Sequence, residues 1–371
     1  MKIVRERNII LATILVFLGI FFMPVNAEWF EKSVFSGLAL LHEYAKYHTL
    51  TCLLPALFIA GGITVFVNKE VILKYLGSQA KKYVSYSVAS VSGILLAVCS
   101  CTILPLFAGI RRRGAGIGPA TTFLFAGPAI NIAAILLTFS VLGAEIGTAR
   151  IIGAITISLL AGITMALIFR EKAEQGNMIA EQQKATEKKH YVAILFLALI
   201  GIIVLGDIGL SPSMKIVVIA ALLLTILLLT VFAFKKETTK TWLGESWSFI
   251  KLILPALLIG VFIAGFAQPL LPESLIQGWV GDNTLTANLL ATIFGALTYF
   301  STLTEIPILQ VLIDKGMHSG PALALLLAGP SVSLPNMLVI RNIIGTKKTI
   351  TYISIVIIYS AIAGLIFGGI S

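Results

Sequence analysis

Two cysteines separated by one residue, Cys99-Ser100-Cys101, with Thr102 and Pro105 following, are the side chains here best suited to hold a soft ligand. Thiolates favour acceptors such as Cu(I) or trivalent arsenic over Mg²⁺ or Ca²⁺. On a regular helix, residues two apart point to nearly opposite faces, so both sulfurs reach one metal or metalloid only where the backbone bends. Pro105 supplies a reason for a non-helical bend. The same small residues would equally serve close packing against a neighbouring helix. At an offset of 202, from Cys99 to Ser301, the corresponding segment reads Ser301-Thr302-Leu303-Thr304-Glu305 and puts hydroxyls and a carboxylate where the thiols stand. An ionisable group at membrane depth is costly, and a Glu305 that is protonated in one state and charged in another would couple transport to protons. Its structural alternative is a carboxylate near one membrane face, paired with Lys315 or Arg341.

Two Gly-Pro breaks lie downstream of these segments, Gly127-Pro128 with Asn131 and Gly329-Pro330 with Ser331, Ser333 and Asn336. A proline inside a helix removes a hydrogen bond and frees backbone groups of the preceding turn. The half-helix that follows presents an N-terminus able to face an anion or a polarised ligand. Asparagine amides are expensive in hydrocarbon, so Asn131 and Asn336 are expected to line a cavity or to bond across helices.

These segments sit in a chain with 58% hydrophobic and 12% charged residues and a mean hydropathy of +0.99, which excludes a soluble fold. Long apolar runs without alternation point to spanning helices, not to a β-barrel. The net charge of +10, from 27 Lys and Arg against 17 Asp and Glu, is read as topology-setting flanks, with no nucleic-acid partner. The partners expected are the lipid bilayer and a small-molecule or metalloid substrate, and the oligomeric state is left open. Cys52 stands alone and reads as a small buried hydrophobe. His42, His48, His190 and His318 form no ligand-spaced cluster. Without a phosphate-binding Gly-Lys-Ser/Thr loop or a nucleophile elbow, neither ATP-driven transport by this chain alone, enzyme chemistry nor a bound cofactor is expected.

The chain repeats itself. Pro105 answers to Pro307, Gly118-Pro119-Ala120 to Gly320-Pro321-Ala322 and Ala126-Gly127-Pro128 to Ala328-Gly329-Pro330, while Leu54-Pro55-Ala56-Leu57 answers to Leu254-Pro255-Ala256-Leu257. The division expected is a first helix or signal-like segment over 1–27, a first repeat over 28–169, a cytoplasmic linker over 170–190 and a second repeat over 191–371. Within it, Glu28 to His48 reads as an interfacial helix, and spans begin at about Thr49 and at Leu252. Basic loops on both sides of Val84 to Ile110 favour a re-entrant hairpin, since a single crossing would leave Arg111-Arg112-Arg113 outside. The triplet anchors topology, with an electrostatic funnel for an anionic substrate as its second reading. The fold expected is an all-α integral membrane protein of about nine spans plus two re-entrant hairpins, arranged as two inverted repeats around a polar site, as in many secondary transporters.

Cys-Ser-Cys-x-x-x-Pro at Cys99 to Pro105, the basic turn Arg112 to Ala115, Gly-Pro-Ala at Gly118 to Ala120 and Gly-Pro-Ala-Ile-Asn at Gly127 to Asn131 come together in order. That set resembles the predicted permease family that includes the ArsP-type organoarsenical efflux permeases, over roughly Leu50 to the C-terminus. The resemblance implies a multi-span inner-membrane permease, with some members exporting trivalent arsenicals. On this reading Cys99, Ser100, Cys101, Thr102, Gly127, Pro128, Asn131, Ser301, Thr302, Thr304, Gly329, Pro330 and Asn336 form the substrate site. Cys99 and Cys101 are the metal or metalloid ligands, and Glu305 couples protons. Other cargoes compatible with the residues are a small anion or a sulfur-containing metabolite, and a thiol or metal-delivery module without translocation is the third reading.

Overall fold

The computed structural model describes residues 21, 24, 27–67, 75–77, 80–96, 100–171, 188–207, 212–270, 278–298 and 305–371. Every regular element among them is helical, as a backbone away from water requires. In chain order these are α1 (Glu28–Glu43), α2 (Leu54–Phe66), α3 (Lys82–Leu96), α4 (Ser100–Arg112), α5 (Ile117–Ala129), α6 (Ile132–Val141), α7 (Gly143–Ile168) and α8 (Lys189–Asp207). There follow α9 (Pro212–Leu228), α10 (Lys236–Ala267), α11 (Leu285–Leu297), α12 (Glu305–Asp314), α13 (Ser319–Val332), α14 (Leu334–Ile344) and α15 (Thr346–Gly368). The first segment, apart from positions 21, 24 and 27, and most of the linker lie outside the described residues.

Four helices are long and apolar enough to cross a bilayer, namely α7, α9 with its extension to Ala233, α10 and α15. Two bent pairs, α5 with α6 and α13 with α14, raise the number to six among the described residues, and α2 and α11 are apolar but shorter. The break expected near His48 is absent, because the π-helical stretch Tyr44–Leu53 carries α1 into α2 without a turn. Nor does α10 begin at Leu252. Its first turns look polar in sequence, yet Trp242, Ser246, Phe249, Ile253 and Leu257 fall at steps of three and four and form one buried stripe. Trp242 Nε1 donates to Phe58 O at 2.9 Å, fixing that stripe against α2.

The element bounds recur at the offset of the sequence repeats. α3 to α7 correspond one for one to α11 to α15, shifted by 202 to within a few residues. Among the described residues all four glycines with positive φ obey the same shift: Gly114 (94°) with Gly316 (100°), and Gly143 (88°) with Gly345 (83°). These left-handed turns follow α4 and α12, and separate α6 from α7 and α14 from α15, where a side chain would be strained. Helix approaches recur too. A Cβ on Gly118 would lie 2.9 Å from Gly162 O, and one on Gly320 would lie 2.7 Å from Gly364 O, so small residues let α5 meet α7 and α13 meet α15.

Contacts between corresponding helices run in opposite directions. Phe30 packs on Phe266 (5.9 Å between ring centroids), Gly37 lies beside Phe262, Gly61 beside Ser246, and Phe66 packs on Phe234 (5.2 Å). One index rises as the other falls, so α1 and α2 lie antiparallel to α10. Likewise Thr164 bonds Tyr359 at 2.9 Å and Glu171 pairs with Lys348 at 3.0 Å, which makes α7 antiparallel to α15. The start of α3 meets the end of α4, and the start of α11 meets the end of α12. Gly77 bridges Ala115 and Gly116 N donates to Leu76 O at 2.7 Å across the mouth of α3 and α4, while His318 N donates to Val280 O at 3.0 Å across that of α11 and α12.

Gly364→Leu should abolish monodisperse folded protein in detergent, because the added side chain meets Gly320 O and Asn288. Gly244→Ala, where nothing lies within 4 Å, should leave yield and elution unchanged. Equal behaviour of the two variants in size-exclusion chromatography would contradict the close helix crossing.

Candidate functional site

The two helix breaks define the site. α5 bends by 45° into α6 and α13 by 46° into α14. In both, the helix runs past its proline and stops two or three residues later, at Ile130-Asn131 and at Ser333, and not at Gly-Pro as the sequence suggests. The strain at proline falls on the preceding turn, and the carbonyls of the last turn are what the break leaves without donors. Buried in apolar surroundings, such carbonyls need side-chain partners. Arg150 Nε donates to Ala129 O at 3.3 Å in the first half, and Asn336 Nδ2 donates to Pro330 O at 3.2 Å in the second. Ser331 Oγ reaches across the halves to Phe125 O at 3.4 Å, so the breaks lie side by side.

The glycines before the prolines have a different task. A Cβ on Gly127 would lie 2.5 Å from Ile103 Cδ1, and one on Gly329 would lie 2.5 Å from Glu305 Oε1. Each therefore admits a side chain from the neighbouring hairpin helix. Ile103 and Glu305 are themselves 202 apart, so one cradle holds an alkyl group where its counterpart holds an acid.

Glu305 is 1% exposed, and neither carboxylate oxygen has a hydrogen-bond partner among the described residues. This rules out the surface pair with Lys315 or Arg341; Arg341 is exposed and donates to Thr346 instead. The charge acting on Glu305 is Arg150, which stands in the sequence where a returning span starts after the turn Gly143 to Ala149 and is not among the expected site residues. Arg150 is fully buried. Its Nη1 donates to Thr138 Oγ1 at 2.8 Å, and its Nη2 has no partner among the described residues. A lone arginine eight residues into an apolar run carries the signal of a buried charge at membrane depth, and the nearby loop residues mask it.

The remaining predicted site residues divide as follows. Thr102, Gly127, Pro128, Asn131, Glu305, Gly329, Pro330 and Asn336 are buried along the broken helices or the hairpin helices beside them. Asn336 Oδ1 and Ser333 Oγ are buried without partners among the described residues. Ser100 and Cys101 begin α4, so the expected non-helical run up to Pro105 is helical from Ser100 onward. Proline is tolerated there at the loss of one bond, to the Cys101 carbonyl. Cys99, Ser301, Thr302 and Thr304 lie outside the described residues. Among the described residues no three His, Cys, Asp or Glu side chains converge on a metal position. A groove of about 670 Å³ between α3, α5 and α7, lined by Lys82, Ser85, Tyr86 and Leu167, contains none of the predicted site residues.

The arginine triplet is committed to structure. Arg111 donates through Nη2 and Nη1 to the two oxygens of Glu171 at 2.7 and 3.0 Å, and Lys348 and Ile117 N reach the same carboxylate at 3.0 Å. Arg112 pairs with Glu245 at 3.0 Å and stacks on Phe249 at 3.9 Å, and Arg113 Nε donates to Ile63 O. The funnel reading loses its free cations. Burial alone would raise the Glu171 carboxyl, but Arg111 and Lys348 outweigh it and hold the group below the ordinary carboxylate range. His318, expected to be incidental, caps α13 by accepting from Gly320 N at 3.2 Å.

Residues 34–369 match the family model described as predicted permease. The UPF0718 protein MJ0584 of Methanocaldococcus jannaschii is 45% identical over 340 residues, covering 88% of this chain and 93% of its own length. The UPF0718 protein YraQ of Escherichia coli is 26% identical, with 83% and 73% covered. A Streptococcus mutans protein named as a candidate two-component membrane permease complex subunit is 22% identical, with 85% and 91% covered. No solved structure matches the chain.

Glu171→Gln should lower the thermal midpoint in detergent by an amount equivalent to about 2 kcal/mol, since it uncouples two cations and a helix N-terminus. A carboxyl lowered in the folded state contributes stability above its unfolded value near 4.5, and loses it as pH falls through the lower folded value. The gap between wild type and variant should therefore close in acid; a gap constant from pH 7 to pH 3 would contradict the ion-pair role.

Proposed function

The chain belongs to the predicted permease family, and from that premise we propose that it is a secondary-transporter-like efflux permease of the cell's inner (plasma) membrane. It is a multi-pass membrane protein whose broken helices meet side by side. The recurrence of bounds at 202 and the antiparallel contacts support two inverted repeats, over 28–169 and 191–371, with α3/α4 and α11/α12 as re-entrant hairpins. Nine spans are then the first segment, α2, the bent pair α5/α6, α7, α8, α9, α10, the bent pair α13/α14 and α15. Alternating access would rock one repeat against the other around the breaks.

The cargo proposed is a soft-element compound, such as a trivalent organoarsenical. Cys99 and Cys101 bind it, Ser100, Thr102, Ser301, Thr302 and Thr304 surround it, and Gly127-Pro128-Asn131 and Gly329-Pro330-Asn336 shape the chamber. Glu305 carries the coupling proton. The observation that carries the reading is a carboxylate buried without a partner among the described residues, seated against the Gly329 break. Such a group has a reason to persist only if it changes charge or partner during a cycle. A small anion as cargo is the second reading, favoured by the unsatisfied guanidinium of Arg150.

Expression in cells lacking arsenical efflux should raise resistance to a trivalent organoarsenical, and Cys99→Ser with Cys101→Ser should remove the gain. Glu305→Gln should abolish the response of flux to an imposed pH gradient in proteoliposomes. Undiminished resistance in the double variant would take the thiols out of the mechanism, and gradient-driven flux in Glu305→Gln would take out the proton carrier.

A further inference from the structure

The two cradles differ in a concerted way. Under the shift of 202, Arg150 corresponds to Tyr352 and Glu305 to Ile103, so both charges occupy one of two equivalent places and both are missing from the other. The hairpin helix α12 packs against α6 of the opposite half, and α4 packs against α14. Ile306 and Leu309 of α12 share one apolar cluster with Ala134 and Ile146, which brackets Arg150 with Glu305. Ile103 and Tyr352 belong together to the other cluster. An acid from one half thus lies within the field of a base from the other, and the equivalent positions carry an alkyl group and a phenol.

The pair is not closed on itself. Arg150 spends Nε on Ala129 O and Nη1 on Thr138 Oγ1, leaving Nη2, and both Glu305 oxygens remain open among the described residues. A guanidinium offers only donors and Glu305, when ionised, only acceptors, so a ligand completing both in the charged state of Glu305 must present an acceptor and a donor. Leaving buried donors and acceptors unmet is costly, and a site of this kind rejects a ligand lacking either function.

Resting on the permease reading and naming its substrate class, we propose that Arg150 and Glu305 form a subsite for a small oxyacid that retains one O–H. Arg150 Nη2 donates to its deprotonated oxygen, and Glu305 accepts from its remaining hydroxyl.

The test uses the full chain in nanodiscs with inorganic phosphate, which keeps an O–H at neutral pH, against sulfate, which is similar in shape and has none. Phosphate should raise the thermal midpoint and bind in calorimetry at least about tenfold tighter than sulfate. Arg150→Lys should weaken phosphate about tenfold, and Glu305→Gln should erase the preference for phosphate over sulfate. Should Arg150→Lys not fold, Glu305→Gln decides alone. No phosphate binding, or a preference unchanged in Glu305→Gln, overturns the subsite. Resistance or proteoliposome flux of an organoarsenical measured alongside separates the two claims, because that transport persists if only the subsite is wrong.

Discussion

A backbone interrupted inside an apolar medium must find donors for the carbonyls it exposes, and the rest of this structure follows from how that demand is met. Each break is completed by a side chain that has to be buried at the same depth. In one half it is the guanidinium of Arg150, in the other the amide of Asn336. The choice of an arginine brings a full positive charge into the interior, and a carboxylate from the opposite half stands where that charge is felt. Glycine at 329 leaves room for that carboxylate beside the break.

The duplicated plan explains the scaffold, and departures from it locate the chemistry. Turn glycines, helix crossings and hairpin mouths repeat with little change because they satisfy packing, which both halves share. Positions 103, 150, 305 and 352 do not repeat. Packing alone would leave the two sets of positions alike, and an asymmetric ligand gives a reason for them to differ. The ends of the helices are held by a different device, the Glu171 carboxylate, which gathers α4, α5, α7 and the start of α15 at one face.

Much of this was legible in the sequence. Gly-Pro-Ala and Ala-Gly-Pro at one offset anticipate the recurrence of helix bounds at 202, and the start of α3 and the end of α4 meet at the Gly77–Ala115 bridge. Glu305 stood out as an acid in an apolar block. Arg150 did not, because it sits just beyond Gly143 to Ala149, where a basic residue is the ordinary mark of a span's end. The polar first turns of α10 hid a buried stripe for a similar reason, since Lys and Glu on the opposite face dominate a local average. The breaks were placed at Gly-Pro because proline constrains the turn before it, whereas the helix ends only where the following residues leave αR geometry. At Ser333 the backbone is extended, with φ −58° and ψ 153°.

The proposed opposed orientation of the two halves requires α7 and α15 to run antiparallel, and cross-linking between them tests it most directly. With Cys52, Cys99 and Cys101 replaced by Ser, Thr164→Cys together with Tyr359→Cys should be joined in membranes by a short bifunctional thiol reagent that spans the space the phenol ring fills, as the Thr164 and Tyr359 hydroxyls lie 2.9 Å apart. Cross-linking of Thr164→Cys to Ile366→Cys instead, its equivalent at the repeat offset, would mean that the halves run in the same direction, and the account of the site would fail with it.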